Sequence, residues 1–406
     1  MRVSGTLVAV ASFLTASVFF LFEFVLRIEP SLATQDIADD LGLSLAGMGV
    51  LSSLFFWIYA PMQIVVGLLL DRYGARRFLL PAILVCGLGA CLFASVGSPV
   101  LAGIGRFATG LGASFAFVGA LYVVNHWFAK ERFALLSGAV NALGMMGTAV
   151  GAVALTAAIE TTGWRTTFLG TGVFGIGLFV VALLVFRDAP VIDDMEVHES
   201  PLGPLHEIVR EPQVWLIAVV GALIYMPINV FGGLWGHAEL VRDHNLSSVG
   251  AETAVSMVFW GMAVGSVGAG ALSDHIGHRK WIIFAGALGG SVAWAAAIYT
   301  DTSSEAILSV LLFLAGMLSA TQMLTFAMAR DGQSERVAGT TIAFVNMIGI
   351  GAALIFQPLV GWLVDYEGGS FLLAMMTVPA SLALAAVLIV VALKEPDYPT
   401  RDRGNG

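Results

Sequence analysis

Charged residues are scarce in this sequence. Only 12% of its 406 residues are Asp, Glu, Lys or Arg, about half the share that a soluble domain presents to water. A chain with so few ions cannot cover its own surface, which excludes a soluble globular protein. Cysteine is rarer still. Cys86 and Cys91 lie five apart in one apolar run, so the pair reads as small buried thiols and a disulfide framework is excluded. The 19 basic residues are outnumbered by 28 acidic ones, for a net charge of −9. No basic patch with interleaved aromatics occurs, which removes a nucleic-acid binder. The phosphate-cradling G-x-x-x-x-G-K-[ST] loop is missing, which argues against an ATP-driven pump. No His/Cys spacing suits a metal, and no nucleophile–base constellation appears. The sequence therefore predicts no enzyme, no cofactor and no metal site.

What the chain does have is apolar length. Hydrophobic residues make up 58% of it, and the mean hydropathy is +0.89. They fall in stretches of roughly 20, enough to cross a bilayer core. Turn residues and charges divide twelve spans, near 7–29, 46–70, 77–96, 99–124, 133–158 and 166–186, then 213–235, 248–272, 280–299, 305–328, 337–364 and 371–393. The apolar run after Arg2 continues to about Leu26 without a small-residue cleavage site, so it reads as a retained first helix. The architecture expected is an all-α polytopic membrane protein. Residues 1–187 form one six-helix bundle, 188–212 an acidic, proline-bearing linker with a short amphipathic helix near Leu205–Val209, and 213–406 a second bundle with a short tail. If the N-terminus is cytoplasmic, fifteen basic residues face the cytoplasm and two, Arg165 and Arg242, face the other side. That bias places both termini in the cytoplasm of a cell (inner) membrane.

The halves share more than span number. Gly67–Arg77 reads G-L-L-L-D-R-Y-G-A-R-R and Gly270–Lys280 reads G-A-L-S-D-H-I-G-H-R-K, 203 positions apart. Both reduce to G-x-L-x-D-x-x-G-x-R-[RK]. Glu131-Arg132 before span 5 recurs as Glu335-Arg336 before span 11, and Asn141 recurs as Asn346. Duplication of this kind marks two repeats around an axis along the membrane normal. The motif has a physical reading as a gate. Asp71 and Asp274 end spans 2 and 8, where each carboxylate can reach the positive N-terminus of a helix in the other half, near Val337 and Phe133 respectively. Gly74 and Gly277 permit the turn, while Gly67 and Gly270 permit close helix approach. Arg72, Arg76 and Arg77, and Arg279 and Lys280, serve the same latch or anionic lipid.

These segments resemble the loop motif of the major facilitator superfamily, and the likeness covers nearly the whole chain. Arg106, in R-F-A-T-G-L-G-A, resembles that family's arginine motif in helix 4, which implies proton coupling or polar contacts within its half. The stretches F-E-F-V-L-R-I-E-P-S, Y-A-P-M-Q-I-V-V-G-L-L-L-D-R-Y-G, G-G-L-W-G and I-F-Q-P-L-V-G-W-L-V-D also resemble the phagosomal-transporter-type permeases for amino acids and nucleosides, and the lysosomal dipeptide carriers. The resemblance implies a monomer working by alternating access.

Glu23 and Arg27 are the sharpest site candidates. They lie four apart on one face of span 1, and charges within a span face a cavity or a partner. Arg27 is the candidate anchor for a substrate carboxylate, with Glu23 its counter-ion or proton acceptor; the bland alternative is a structural pair near the outer mouth, where Arg27 and Glu29 simply reach lipid headgroups. Arg106 is either a partner of Glu23 in proton coupling or a buried arginine satisfied by helix-end carbonyls. Tyr59 and Gln63 share a face of span 2, and Tyr225 and Asn229 a face of span 7. With Asn141 and Asn346 they complete the expected substrate-binding set, while Gln322 and Gln357 read as helix-to-helix hydrogen bonders. His237 and His244 read as solvated loop residues. The expected function is a proton-coupled symporter for an amino acid or short peptide first and a nucleoside second. A drug or metabolite exporter, or a non-transporting receptor on the same fold, is the alternative.

Overall fold

The computed structural model describes residues 2–128, 133–188, 203–331, 333 and 335–395. Within these, several side chains lie outside the described set, those of Asp71, Asn141 and Asp274 among them. Every regular element is helical. The first half contains α1 (Arg2–Leu32), the short α2 (Thr34–Leu41), α3 (Leu45–Tyr73), α4 (Arg76–Ser95), α5 (Pro99–Trp127), α6 (Phe133–Thr162) and α7 (Trp164–Val185). The predicted linker helix is α8 (Gly203–Val209), and Glu131, Arg132 and most of the acidic linker fall outside the described residues. In the second half, α9 (Pro212–Pro227), a π-helical stretch (Ile228–Trp235) and α10 (Gly236–Arg242) form one span. It is followed by α11 (Ser248–Ile276), α12 (Lys280–Tyr299), the pair α13 (Glu305–Ser319) and α14 (Met323–Asp331), the pair α15 (Glu335–Gly351) and α16 (Ala353–Tyr366), and α17 (Thr377–Val391).

Among the described residues, twelve spans are long and apolar enough to cross a membrane, so the protein is a multi-pass membrane protein. Their limits match the sequence reading closely, except that span 5 runs Leu143–Thr162, ten residues later at its start, and span 7 runs on to Arg242. Among the described residues, twelve crossings put the start of α1 and the end of α17 on one side, the terminal face; the other side is the distal face. Side chains such as Val100, Val267 and Val391 stand exposed on the outer surface, where lipid is their solvent.

The repeat is visible in how helices start and stop. Ser44 Oγ accepts from Gly47 N to cap α3, and Ser247 Oγ accepts from Gly250 N to cap α11, both at 3.1 Å. Each satisfies a backbone donor that a helix start leaves free. At the other ends Gly74 (φ 80) and Gly277 (φ 77) hold left-handed backbone that only glycine adopts cheaply. Between the halves, α3 packs on α15 and α16, and α6 packs on α11.

Candidate substrate cavity

A cavity of about 470 Å³ lies between the halves, bounded by α1, α3, α5 and α6 on one side and by α9, α11, α14 and α15 on the other. Arg27, Tyr59, Gln63, Tyr225, Gln322 and Asn346 face it, and the rest of its lining is apolar except for Ser266. Among these lining residues Arg27 is the one that carries a formal charge.

The geometry of α1 explains how Arg27 is held. Its guanidinium donates to Glu23 Oε1 from Nε at 3.0 Å and again from Nη2. It lies over the rings of Phe24 and Tyr59, at 4.6 and 5.0 Å. Both partners are buried, Arg27 at 7% and Glu23 at 0% exposure, which removes the headgroup-reaching alternative. Glu23 Oε2 has no hydrogen-bond partner. Three residues further on, Pro30 sits inside the helix and cannot donate to Leu26 O, the bond an α-helix would make there. Arg106 fills that gap, donating to Leu26 O at 2.6 Å and to Arg27 O at 3.4 Å. Arg106 is thus placed on the backbone beneath Arg27, with no bond to Glu23. Glu29 turns away from the cavity and accepts from Thr171 Oγ1.

The structure gathers Arg27, Tyr59, Gln63, Tyr225 and Asn346 as expected and places Glu23 behind Arg27. Asn229 is a correction. The chain widens into π-helix at Ile228, so residues 225 and 229 no longer share a face. Asn229 Nδ2 instead donates to Gly349 O at 3.3 Å, while Gln357 Nε2 takes the Asn229 carbonyl at 2.9 Å. Trp235 Nε1 donates to Gln357 O at 3.0 Å, which ties span 7 to span 11. Gln322 is the opposite correction: it faces the cavity and no helix-to-helix bond of its side chain is present among the described residues.

At the terminal face, the side chains of Asp71 and Asp274 lie outside the described residues. Gly67 and Gly270 have open space where a Cβ would sit, so neither supports a close helix contact here, contrary to expectation. Arg72 and Arg77 flank the ring of Tyr73 at 5.3 and 5.7 Å. Two carboxylates missed in the sequence do the capping. Asp188 Oδ1 accepts from Arg76 N at 2.8 Å, and Glu395 accepts from Arg279 N and Lys280 N at 2.6 and 2.9 Å. Each follows the last span of its half, in R-D-A-P and K-E-P, so a second repeated signal was present. Arg279 also pairs with Asp331 at 2.8 Å.

The distal end of α3 is shut against α16. A Cβ on Gly49 would stand 2.5 Å from Gln357 O, and one on Gly361 would stand 2.4 Å from Leu45 O. Asp365, at the end of α16, accepts from Leu45 N and Ala46 N at 3.1 and 2.7 Å. A carboxylate on a helix N-terminus is the arrangement expected for Asp71, found here at the opposite face and running from the second half to the first.

Beyond this seal, a second cavity of about 610 Å³ opens on the distal side and carries charges of both signs, Asp36, Glu160 and Arg242. The two histidines nearby are not solvated. His237 bonds Glu252 at 3.0 Å and Ser248 at 3.1 Å. His244 faces Glu239 Oε1 at 3.3 Å, Thr302 O at 2.9 Å and Ile298 O at 3.2 Å. Both its ring nitrogens therefore meet acceptors. The Glu239 hydrogen bond leads in raising its pKa, against the opposing cost of burial, to about 9. Since the folded value lies above the ordinary 6.5, this stabilisation is complete below pH 6.5 and is lost as pH rises through 9. The gap in thermal stability between wild type and His244→Gln is expected to shrink over that window; a constant gap would rule out the protonated form.

The Major Facilitator Superfamily model matches residues 8–240 and again 217–406. The chain belongs to the Major Facilitator Superfamily. The probable sulfoacetate transporter SauU of Cupriavidus necator is 24% identical in an alignment covering 95% of this chain and 94% of that protein. The hexuronate transporter of Bacillus subtilis is 25% identical, covering 90% of each. A bacterial homologue of the human lysosomal transporter Spinster, solved inward-facing and unoccupied, superposes with a TM-score of 0.73 at 16% identity over 95% of both chains. This Major Facilitator chain is a secondary transporter of small metabolites.

Proposed function

We propose that the protein carries small organic acids across the cell inner membrane by alternating access, as a proton symporter with both termini in the cytoplasm. Its halves are 1–187 and 213–406, joined by the 188–212 linker, and it acts as a monomer. The observation that carries this reading is Arg27, the lone charge in the cavity lining, since a planar guanidinium matches a carboxylate or sulfonate. The two curated relatives, named for sulfoacetate and hexuronate, move the first choice of cargo from amino acids, peptides and nucleosides to organic acids. Alternating access is supported by the distal seal, and the open space at Gly67 and Gly270 leaves room for closure at the terminal face.

Coupling follows from the charge balance at Arg27. With Glu23 ionised the pair is neutral and the anchor is occupied; protonating Glu23 releases a net positive guanidinium to an anion. Arg106 acts in this cycle as a positioning residue that holds the α1 backbone. The titratable groups near Glu23 are Arg27, Tyr59, Tyr225 and Cys86, and neither the phenols nor the thiol carry charge near neutrality. Glu23→Gln is expected to make uptake independent of pH between 5 and 8; a wild-type pH profile in that variant would remove Glu23 from coupling. The cargo itself is tested by thermal unfolding of purified protein against a ligand panel. Sugar acids, hydroxy acids and sulfonates should raise the unfolding temperature. A shift produced only by dipeptides, amino acids or nucleosides would overturn the organic-acid reading.

A further inference from the structure

The far wall of the cavity carries two amides with no hydrogen-bond partner of their own. Gln322, in the 3₁₀ turn between α13 and α14, is 3% exposed, and Asn346 stands half-buried on α15. Both line the cavity, and no side-chain hydrogen bond of either occurs among the described residues. Elsewhere in this half the buried amides reach across to another helix: Asn229 and Gln357 each donate to a backbone carbonyl, at 3.3 and 2.9 Å, and only Gln357 Oε1 is left without a partner. Amides that line a cavity and make no side-chain bond within the protein keep their donors and acceptors available to a polar ligand. The surroundings are neutral. Met262, Met323, Phe326 and Ile342 line the same wall, together with the Ser266 hydroxyl.

We propose that Gln322 and Asn346 form a neutral subsite that reads the hydroxyl-bearing body of a monoanionic substrate whose acid group sits on Arg27. The inference rests on the organic-acid reading and goes beyond it by assigning charge and shape. An acid with one anionic group places that group on the first half and its hydroxyls on the amides of the second. Each amide offers both donors and an acceptor, matching a hydroxyl that also does both. A second carboxylate or sulfonate would have to enter a wall with no cation, at a desolvation cost that amides offset only in part. The protein should therefore prefer a monobasic sugar acid over a dibasic one of equal length. Such a ligand also touches both halves at once, Arg27 on α1 and Asn346 on α15, so its binding draws them together.

The test is a competition assay on the purified full chain, with a labelled monobasic sugar acid displaced by three probes: a hexuronate, the dibasic acid of the same carbon skeleton, and a hydroxyl-free monocarboxylate of the same length. The hexuronate should bind at least about tenfold tighter than either of the others. In Gln322→Leu and in Asn346→Leu, the advantage of the hexuronate over the hydroxyl-free acid should fall about tenfold. Gln322→Lys supplies a gain-of-function control that does not depend on losing a contact: it should turn preference toward the dibasic acid. Equal or better binding of the dibasic acid by wild type would overturn the neutral subsite while leaving the organic-acid reading intact. Binding of none of the acids would sink that underlying reading instead.

Discussion

Arg27→Lys should raise the apparent KM for an organic acid by roughly 100-fold while leaving the protein folded. Lysine keeps a cation beside Glu23, so the buried carboxylate is not stranded, a loss that would cost about 3–5 kcal/mol. What disappears is the planar fork and its parallel bonds to an acid group. Two charge-assisted bonds are worth about 1.5–3 kcal/mol each, and the ammonium recovers part, leaving a net loss of roughly 3 kcal/mol, or about two orders of magnitude in affinity. The double variant Glu23→Gln/Arg27→Gln removes both charges together and should bind no acid at millimolar concentration. Competition binding on detergent-purified protein reads both effects, and an Arg27→Lys variant with wild-type affinity would take the anchor out of the account.

A mechanical effect is expected at the distal seal. The alanine methyl of Gly49→Ala would meet the backbone of Gln357 and Pro358 at 2.5 and 2.8 Å, and that of Gly361→Ala would meet Leu45 O at 2.4 Å. A side chain can rotate away from such a clash, but a helix backbone moves only by separating α3 from α16. Either substitution should therefore deny the protein its distally closed state and lower transport more than tenfold. Spin labels at Gln35 and Arg242, across the distal cavity, should report a longer distance. Asp365→Ala removes two bonds from an exposed carboxylate, worth about 1 kcal/mol, so the same distance distribution should shift only several-fold in population. Ser44 still caps α3 in that variant. Unchanged distances in both glycine variants would mean the seal is not a gate.

Much of this was legible because membrane segments announce themselves. Long apolar runs and the repeated Gly-Asp-Gly-Arg punctuation located the spans, and Glu23 and Arg27 stood out because two charges one helical turn apart inside such a run need each other. The register of Asn229 was not legible. Placing Tyr225 and Asn229 on one face assumes α-helical pitch, and the π-helical widening after Pro227 breaks it. Gln322 and Gln357 look alike in sequence, both amides in apolar helices; only packing decides that one bonds Asn229 O and the other faces the cavity. Asp365 reads locally as a charge at the end of a span, since its partners lie 319 and 320 positions away. Gly67 and Gly270 show a different limit, because nothing in the sequence tells that a Cβ at either position would meet open space.

The central claim is that this Major Facilitator chain moves organic acids anchored on Arg27. Counterflow in proteoliposomes tests it most directly, with unlabelled acid inside and a trace of the same labelled acid outside. The account predicts rapid accumulation of a labelled monobasic sugar acid by wild type and its loss in the Glu23→Gln/Arg27→Gln double variant. Exchange of amino acids or nucleosides with none of any organic acid, or full exchange by the double variant, would contradict it.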